Sequence, residues 1–486
     1  MRTYFGKILG MFSRKGIFAV FAVVALSGCS VFTAARKAQN EVEAKGRGEP
    51  NVAAEAFDLR GRTLSWLVDF ALTNRPGVVA AQLAVQDARL QLKELAADAP
   101  IVSSTPWTSA KVSASAGYDV ASESSRHLDG IEFSSDGTFS GSISLSVLVY
   151  DFGRYGAAAA AAAENLVAAE VELADIGFTV FEEVSCAYFT LHEKVALLEV
   201  AKTNEFEYAE HLRRAQDLLE AGEAQKLDVT RAKLDLSRAR ELTVASSNDV
   251  TTALAELMRA LGVESTRGNA SDLLPADGES LSVVWRAFPD TGFCAADAFA
   301  DARTNAPAMA VARAKLRAAS SRVDYALADL LPELSAGTSL SWTDPMWIWK
   351  GGVSVAQSIF QGWRKTTAVD RAVVAMRTAA SAVDEAEQKL SHTLELAVAE
   401  RDNAVKTHET AAASLVDARE NLKTVKAQYL EGDADRIDFT SAMSDYTTAL
   451  GSRISAFYRG QTAEAKLFRA TGRKPVWAEK KITEVE

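Results

Sequence analysis

The sequence predicts an α+β membrane protein built from one unit used twice. Three observations carry this. Four stretches alternate apolar and small polar residues over about ten residues each. Two helical stretches run for roughly 60–65 residues with no proline. The order helix, hairpin, long helix, Gly turn, helix then occurs twice along 486 residues.

The strands come first because they constrain everything else. In Thr138–Leu148, Phe139, Gly141, Ile143, Leu145 and Val147 share one face, and Ser140, Ser142, Ser144 and Ser146 share the other. Lys111–Val120 sets Val112, Ala114, Ala116 and Tyr118 against Ser113, Ser115 and Asp119. Glu333–Trp342 sets Leu334, Ala336, Leu340 and Trp342 against Ser335, Ser339 and Ser341. Trp349–Ile359 sets Val353, Val355 and Ile359 against Lys350, Ser354 and Ser358. A soluble sheet usually shows water Lys, Glu or Thr. A row of serines suits a narrow, water-filled lumen. Four strands make two hairpins and cannot close a barrel. An open sheet edge in lipid strands backbone N–H and C=O groups without partners. If the strands span a membrane, several copies of the chain must pool them.

The helices follow in order. One is expected over Leu64–Asp98, stopped by Pro100 and Pro106, and an exposed Ser-rich loop is expected over Ala121–Gly137. After Tyr150-Asp-Phe-Gly-Arg154, the run Ala157–Ala163 opens a helix to Leu219. Leu166, Ala169, Leu173, Ile176 and Val180 recur at coiled-coil spacing. The seam resumes at Val184, Ala187 and Leu191 after a four-residue step. Ala221-Gly222-Glu223 breaks the pattern, and a further helix reaches Leu261-Gly262. The span from Val263 to Ala296, with Pro275 and Pro289, reads as an irregular connector.

The second unit repeats the first residue by residue. Thr73-Asn74-Arg75-Pro76 matches Thr304-Asn305-Ala306-Pro307 at an offset of 231. Gly222-Glu-Ala-Gln-Lys-Leu-Asp228 matches Gly432-Asp-Ala-Asp-Arg-Ile-Asp438 at an offset of 210. Such self-similarity marks one architecture used twice. The expected divisions are a leader (1–28), a tether (29–62), a first repeat (63–262, hairpin 111–148), a connector (263–296), a second repeat (297–472, hairpin 333–359) and a tail (473–486). The second long helix is expected over 366–430.

Composition narrows the function. Arg2, Lys7, Arg14 and Lys15 precede the apolar run Ile17–Leu26, which reads as a secretory signal peptide. Leu26-Ser-Gly-Cys29 is similar to a bacterial lipobox, so Cys29 is expected to carry acyl chains, and Ser30 after it points to the outer membrane. Without the four leader cations the balance is 49 basic to 64 acidic residues, which argues against nucleic acid as a partner. Cys186 and Cys294 are too few for a disulfide framework. His127, His192, His211, His392 and His408 lie far apart, four of them expected on helical surfaces, and none has metal-ligand spacing. No phosphate loop, dinucleotide fingerprint or nucleophile elbow occurs. No enzyme, cofactor or metal is expected. Trp342, Trp347 and Trp349 flank the second hairpin tip and suit an aromatic girdle at a membrane surface.

From about residue 60 to 472 the chain resembles the outer-membrane efflux protein family of the TolC and OprM type. The resemblance rests on the duplicated plan, the hairpin exits Tyr-Asp-Phe-Gly-Arg154 and Phe360-Gln-Gly-Trp-Arg364, and the two Gly-x-Ala-x-[Lys/Arg]-[Leu/Ile]-Asp turns. The lipobox points to the family's lipoprotein branch. The resemblance implies a homotrimer with one shared twelve-strand barrel in the outer membrane, continued by a periplasmic helical tunnel. It implies a passive exit duct that works with an inner-membrane pump and a periplasmic adaptor. Drug or small-molecule efflux is the first reading. A type I protein-secretion duct is the second, and a coiled-coil lipoprotein scaffold without a pore is the rival. The resemblance also places the tunnel's closed end, and its adaptor contacts, at the turns of Gly222, Lys226, Gly432 and Arg436. Asp228 and Asp438 would each form a ring of three carboxylates there, unless they only complement the dipoles of their helices. Tyr429 would latch the closed state, with Asp228 as partner. Ala434, Ser441 and Phe457 replace residues of the TolC latch. Asp433, Asp435, Lys226 and Arg436 are therefore candidates for a different closure.

Overall fold

A computed structural model describes residues 35–40, 42–43, 63–100, 110–127, 130–222, 225–263, 302–343, 346–431 and 433–472. The leader, Cys29, Gly432, the connector beyond Val263 and the tail beyond Gly472 lie outside the described residues. The chain divides into two units: Met1–Asp58 with Thr266–Gly268, and the remainder. In the first unit, 35–40 and 42–43 are helical. That corrects the reading of this stretch as aperiodic tether. Ala, Arg, Lys and Gln are good helix formers, and Gln39 Nε2 donates to Glu43 Oε1 at 3.4 Å one turn on.

The second unit holds seven helices and four strands among the described residues. They are α1 (Leu64–Asn74), α2 (Pro76–Ala96), β1 (Ala110–His127), β2 (Gly130–Tyr150), α3 (Arg154–Glu220) and α4 (Lys226–Leu261). Then come α5 (Pro307–Ala328), β3 (Glu333–Thr343), β4 (Met346–Ala356), α6 (Arg364–Glu431) and α7 (Arg436–Thr471). The duplicated order and the two long helices are those expected. At 1.5 Å per residue, α3 and α6 are each about 100 Å long.

Two boundaries differ from expectation. The helix read over Leu64–Asp98 breaks at Arg75, whose φ −70 and ψ 126 are extended. Pro76 then opens α2 at its first position. A proline costs a helix nothing there, because its missing N–H would be unpaired anyway. Ala306 and Pro307 repeat this at α5. The loop read over Ala121–Gly137 is strand instead: β1 and β2 stay in register to His127 opposite Gly130. β4 also starts and ends three residues before its expected Trp349–Ile359 limits. Its length is set by pairing with β3, which runs from Glu333–Ala356 to Thr343–Met346.

The strands form one antiparallel sheet in the order β1-β2-β3-β4. Opposed residues share a face, so the register tests the alternation. Ser115, Ser142 and Ser341 fall in one row, and Ser113, Ser144, Ser339 and Lys350 in the next. Ser113 and Ser144 hydroxyls are 2.7 Å apart, and those of Ser115 and Ser142 are 2.8 Å apart. On the other face, Ala114, Ile143, Leu340 and Trp349 share a row, beside Ala116, Gly141, Trp342 and Trp347. Trp342 and Trp347 have ring centroids 6.2 Å apart.

Each hairpin enters its long helix through two consecutive positive-φ residues. They are Phe152 (54°) and Gly153 (92°) in the first repeat, and Gly362 (59°) and Trp363 (63°) in the second. The aromatic and the glycine exchange places. A positive φ costs a bulky residue about 1–2 kcal/mol, so the surroundings must impose it. Asp151 supplies one restraint, because its carboxylate accepts from the backbone N–H groups of Gly153 and Tyr155. Arg154 supplies another, binding Glu333 at 2.9 Å and Asp329 at 3.5 Å. It thereby ties α3 to the start of β3.

Helix α3 packs on α1, α2, α4, α5 and α7, and α6 packs on α5 and α7. Of the expected seam on α3, Val180, Val184 and Leu191 are buried, while Leu166, Ala169, Leu173, Ile176 and Ala187 are half-buried. A shared core joins α3, α6 and α7 through Val200, Leu415, Leu450, Ile454, Phe457 and Tyr458. α4 and α7 end in left-handed glycines, Gly262 and Gly472. A Cβ on Gly472 would meet the Asn305 carbonyl at 2.8 Å, and one on Gly262 would meet Arg75 Cα at 3.3 Å. The duplicated Thr-Asn-x-Pro motifs are thus the surfaces against which the duplicated helix ends close.

Ile454 is fully buried in the shared core. Ile454→Ala is expected to destabilise the helical unit by about 2–5 kcal/mol, read as a fall in the thermal midpoint. A loss below about 1 kcal/mol would show that α7 is not held by this core.

Candidate functional site: the turn end of the helices and the lining of the sheet

At the turn end, α3 stops at Glu220 and Gly222 takes φ +82. α4 then starts with a capping box. The Gln225 side chain accepts from the Asp228 N–H, and the Gln225 N–H donates to Asp228 Oδ2 at 3.2 Å. α7 starts at Asp435, whose Oδ1 accepts from the Arg436 N–H at 2.6 Å. Asp228 and Asp438 are both the third residue of their helices. Asp438 is exposed and Asp228 is half-exposed. Carboxylates there oppose the positive end of a helix dipole.

Behind the turns lies a cluster drawn from four helices. Tyr429 Oη of α6 and His211 Nδ1 of α3 are hydrogen-bonded at 3.2 Å. The Tyr429 ring stacks on Phe439 of α7 with centroids 5.0 Å apart, and His211 lies 5.5 Å from the same ring. The Arg214 guanidinium sits 5.6 Å from the centre of Tyr429. Arg436 of α7 bridges Asp235 of α4 at 3.0 Å, both largely buried. Lys426 bridges Glu207 at 2.8 Å on the flank. A cavity of about 320 Å³ opens beside Tyr429 and His211, lined by Glu207, Glu210, Arg213, Arg214, Asp217 and Lys426.

Within one chain Tyr429 meets His211, while Asp228 caps its own helix and adds to the rise that burial gives the Tyr429 pKa. Arg436 bridges Asp235. Asp433 and Lys226 are exposed. The expected surface histidines are corrected: His211 is 4% exposed and His408 is 6% exposed. His211 was nonetheless legible. Ala201, Asn204, Tyr208, His211 and Ala215 continue the coiled-coil spacing of 3, 4, 3 and 4, with polar side chains at three seam positions.

Burial lowers the His211 pKa from its usual 6.5, and Arg436 and Arg214 add to the effect against the pull of Asp235. Burial also raises the Tyr429 hydroxyl pKa. His211 Nε2 is buried and has no hydrogen-bond partner. A proton placed there would be both desolvated and unpaired.

Among the described residues no group of three or more potential metal ligands is found, and no helix is long and apolar enough to cross a membrane. The sheet has one face that is largely apolar and another on which serines recur.

A two-hairpin sheet of this kind, running into duplicated long helices, defines the channel-tunnel class. The chain matches the family model described as "Outer membrane efflux protein" over residues 67–263 and 299–473, and it belongs to that family. A crystal structure of a membrane protein from Pseudomonas aeruginosa is similar at 20% identity, covering 84% of this chain and 90% of that one, with a TM-score of 0.70. The Campylobacter jejuni CmeC outer membrane channel is similar at 17% identity, covering 89% and 93%, with a TM-score of 0.70. The solved structure of CusC is similar at 18% identity, covering 87% and 95%, with a TM-score of 0.69. At these identities the structures speak to the fold. No curated protein sequence matches the chain.

The sign of the His211 effect is set by its lowered pKa. The unfolded chain binds this proton more readily, so His211 stabilises fully above about pH 6.5 and loses that contribution as pH falls through its folded value. His192 and His408 are lowered in the same direction by burial. His211→Phe keeps a ring against Phe439. It is expected to lessen the fall in thermal midpoint between pH 8 and pH 5, by up to about 1.4 kcal/mol per pH unit in the titration window. An unchanged fall would show that His211 is not held neutral.

Proposed function

We propose that the protein is the outer-membrane exit duct of a tripartite efflux system. Three chains share one twelve-strand barrel, and their helices form a tunnel reaching into the periplasm. The duct conducts passively. An inner-membrane pump supplies the energy, and a periplasmic adaptor joins pump to duct at the helical turns. The family supports the class, and the sheet supports the assembly. β1 and β4 are each paired on one side only, and their free edges find partners in neighbouring copies. The register carries this reading, because it lines up serines of β1, β2 and β3 on one face, with Ile348 of β4 an apolar exception, and Val, Ile, Leu and Trp on the other.

The turns of Gly222 and Gly432 are the periplasmic end, and Asp438 and Asp433 are the exposed carboxylates available to a threefold ring. Acylation of Cys29 anchors each chain at the outer membrane, and this lipoprotein N-terminus favours small-molecule efflux over protein secretion. Trp342, Trp347 and Trp349 sit at the tip of the second hairpin as a girdle.

Ile143→Asp and Leu145→Asp each place a charge on the apolar face. Both are expected to abolish outer-membrane assembly, at a cost of up to about 2 kcal/mol in each of three chains. Ser142→Asp on the other face should assemble and conduct. Equal assembly of all three would contradict the barrel. Asp438→Ala is expected to weaken divalent-cation block of single-channel conductance. Unaltered block would remove Asp438 from the gate.

A further inference from the structure

We propose that Lys350 forms a ring of three positive charges in the barrel lumen and biases that part of the duct towards anions. This rests on the shared barrel proposed above and goes beyond it, by assigning selectivity to a residue of the lining. Lys350 stands opposite Ser339, which stands opposite Ser144, which stands opposite Ser113. A lysine thus replaces the fourth serine of a row. On the opposite face, the rows from Ala110–Val147–Ala336–Val353 to Ala116–Gly141–Trp342–Trp347 carry no charge. Lys350 follows Trp349 of the girdle, where a lysine facing lipid costs only up to about 1 kcal/mol. It is the shared row with three serines that marks its face as wet.

Two other charges on this face are neutralised locally. Lys111 bridges Asp98 at 2.6 Å, and Glu333 bridges Arg154 at 2.9 Å. Among the described residues Lys350 has no such carboxylate partner, and its side chain is exposed. The row beside it is also open. Lys111 and Ser146 there continue into Gly337 and Gly352, and nothing lies within 4 Å of where a Gly352 side chain would begin. The ammonium group consequently stands over a clear stretch of wall. Three such charges around a water-filled lumen raise the local anion concentration.

The test uses the full-length trimer, purified from the outer membrane and placed in planar bilayers under a potassium chloride gradient. Reversal potentials are compared for wild type, Lys350→Ser and Lys350→Glu. Lys350→Ser completes the serine row and is the conservative variant. Its trimer is checked by native mass. The cation-to-anion permeability ratio is expected to rise in Lys350→Ser and to reach at least about twofold over wild type in Lys350→Glu, the difference shrinking at 1 M salt. Equal ratios in conducting trimers of wild type and Lys350→Ser would overturn the proposal and leave the duct standing. A wild-type trimer that conducts nothing would overturn both.

Discussion

The structure depends on the unpaired backbone edges of a four-stranded sheet. Water can satisfy such edges in a soluble protein, but hydrocarbon cannot, and each orphaned group there costs several kcal/mol. The apolar face built from Val112, Ile143, Leu340 and Val353 suits lipid, and the serine face suits a wet interior. A sheet with those two faces and two open edges is incomplete as a single chain. Closure among copies satisfies the edges and encloses the serines in one step. It also brings the long helices of neighbouring chains side by side, where the half-buried seam of α3 can find further partners.

The duplication explains how one chain supplies both hairpins in matching surroundings. Each repeat delivers its strands through a strained exit, and each closes its last helix onto a Thr-Asn-x-Pro corner. The first exit is held by the buried carboxylate of Asp151 and by Arg154, so strain at Phe152 is offset by contacts in its own repeat and by one to the next. The turn end is built differently in the two repeats. Gln225 and Asp228 cap α4 reciprocally, while Asp435 caps α7 and frees Asp438. That asymmetry leaves Asp438 the better placed of the two aspartates to face a central axis. Between the turns, the His211–Tyr429 bond joins α3 to α6 and the Arg436–Asp235 bridge joins α7 to α4.

Much of this was legible in the residues. Period-2 alternation located all four strands, and the repeated Gly turns located the ends of α3 and α6 to within a residue or two. What escaped has physical causes. The segment 121–137 has a composition equally at home in a loop, and only pairing across the hairpin makes it strand. Asp-Gly pairs stand at both 129–130 and 136–137, so the local turn signal did not single out the hairpin. Thr73-Asn-Arg-Pro76 sits inside a continuous apolar pattern, which hides the fact that its proline starts a helix. His211 escaped because the seam was followed through apolar residues only, whereas the structure continues it through Asn204, Tyr208 and His211. The Tyr429–His211 contact joins residues 218 apart, which no local pattern could reveal.

The most direct test of the account is the native mass of the protein extracted from the outer membrane in mild detergent. A species of about three mature chains is the predicted result, since twelve strands then close with every edge paired. A monomer or dimer that is stable and fully folded in the membrane fraction would leave those edges open and contradict the shared barrel.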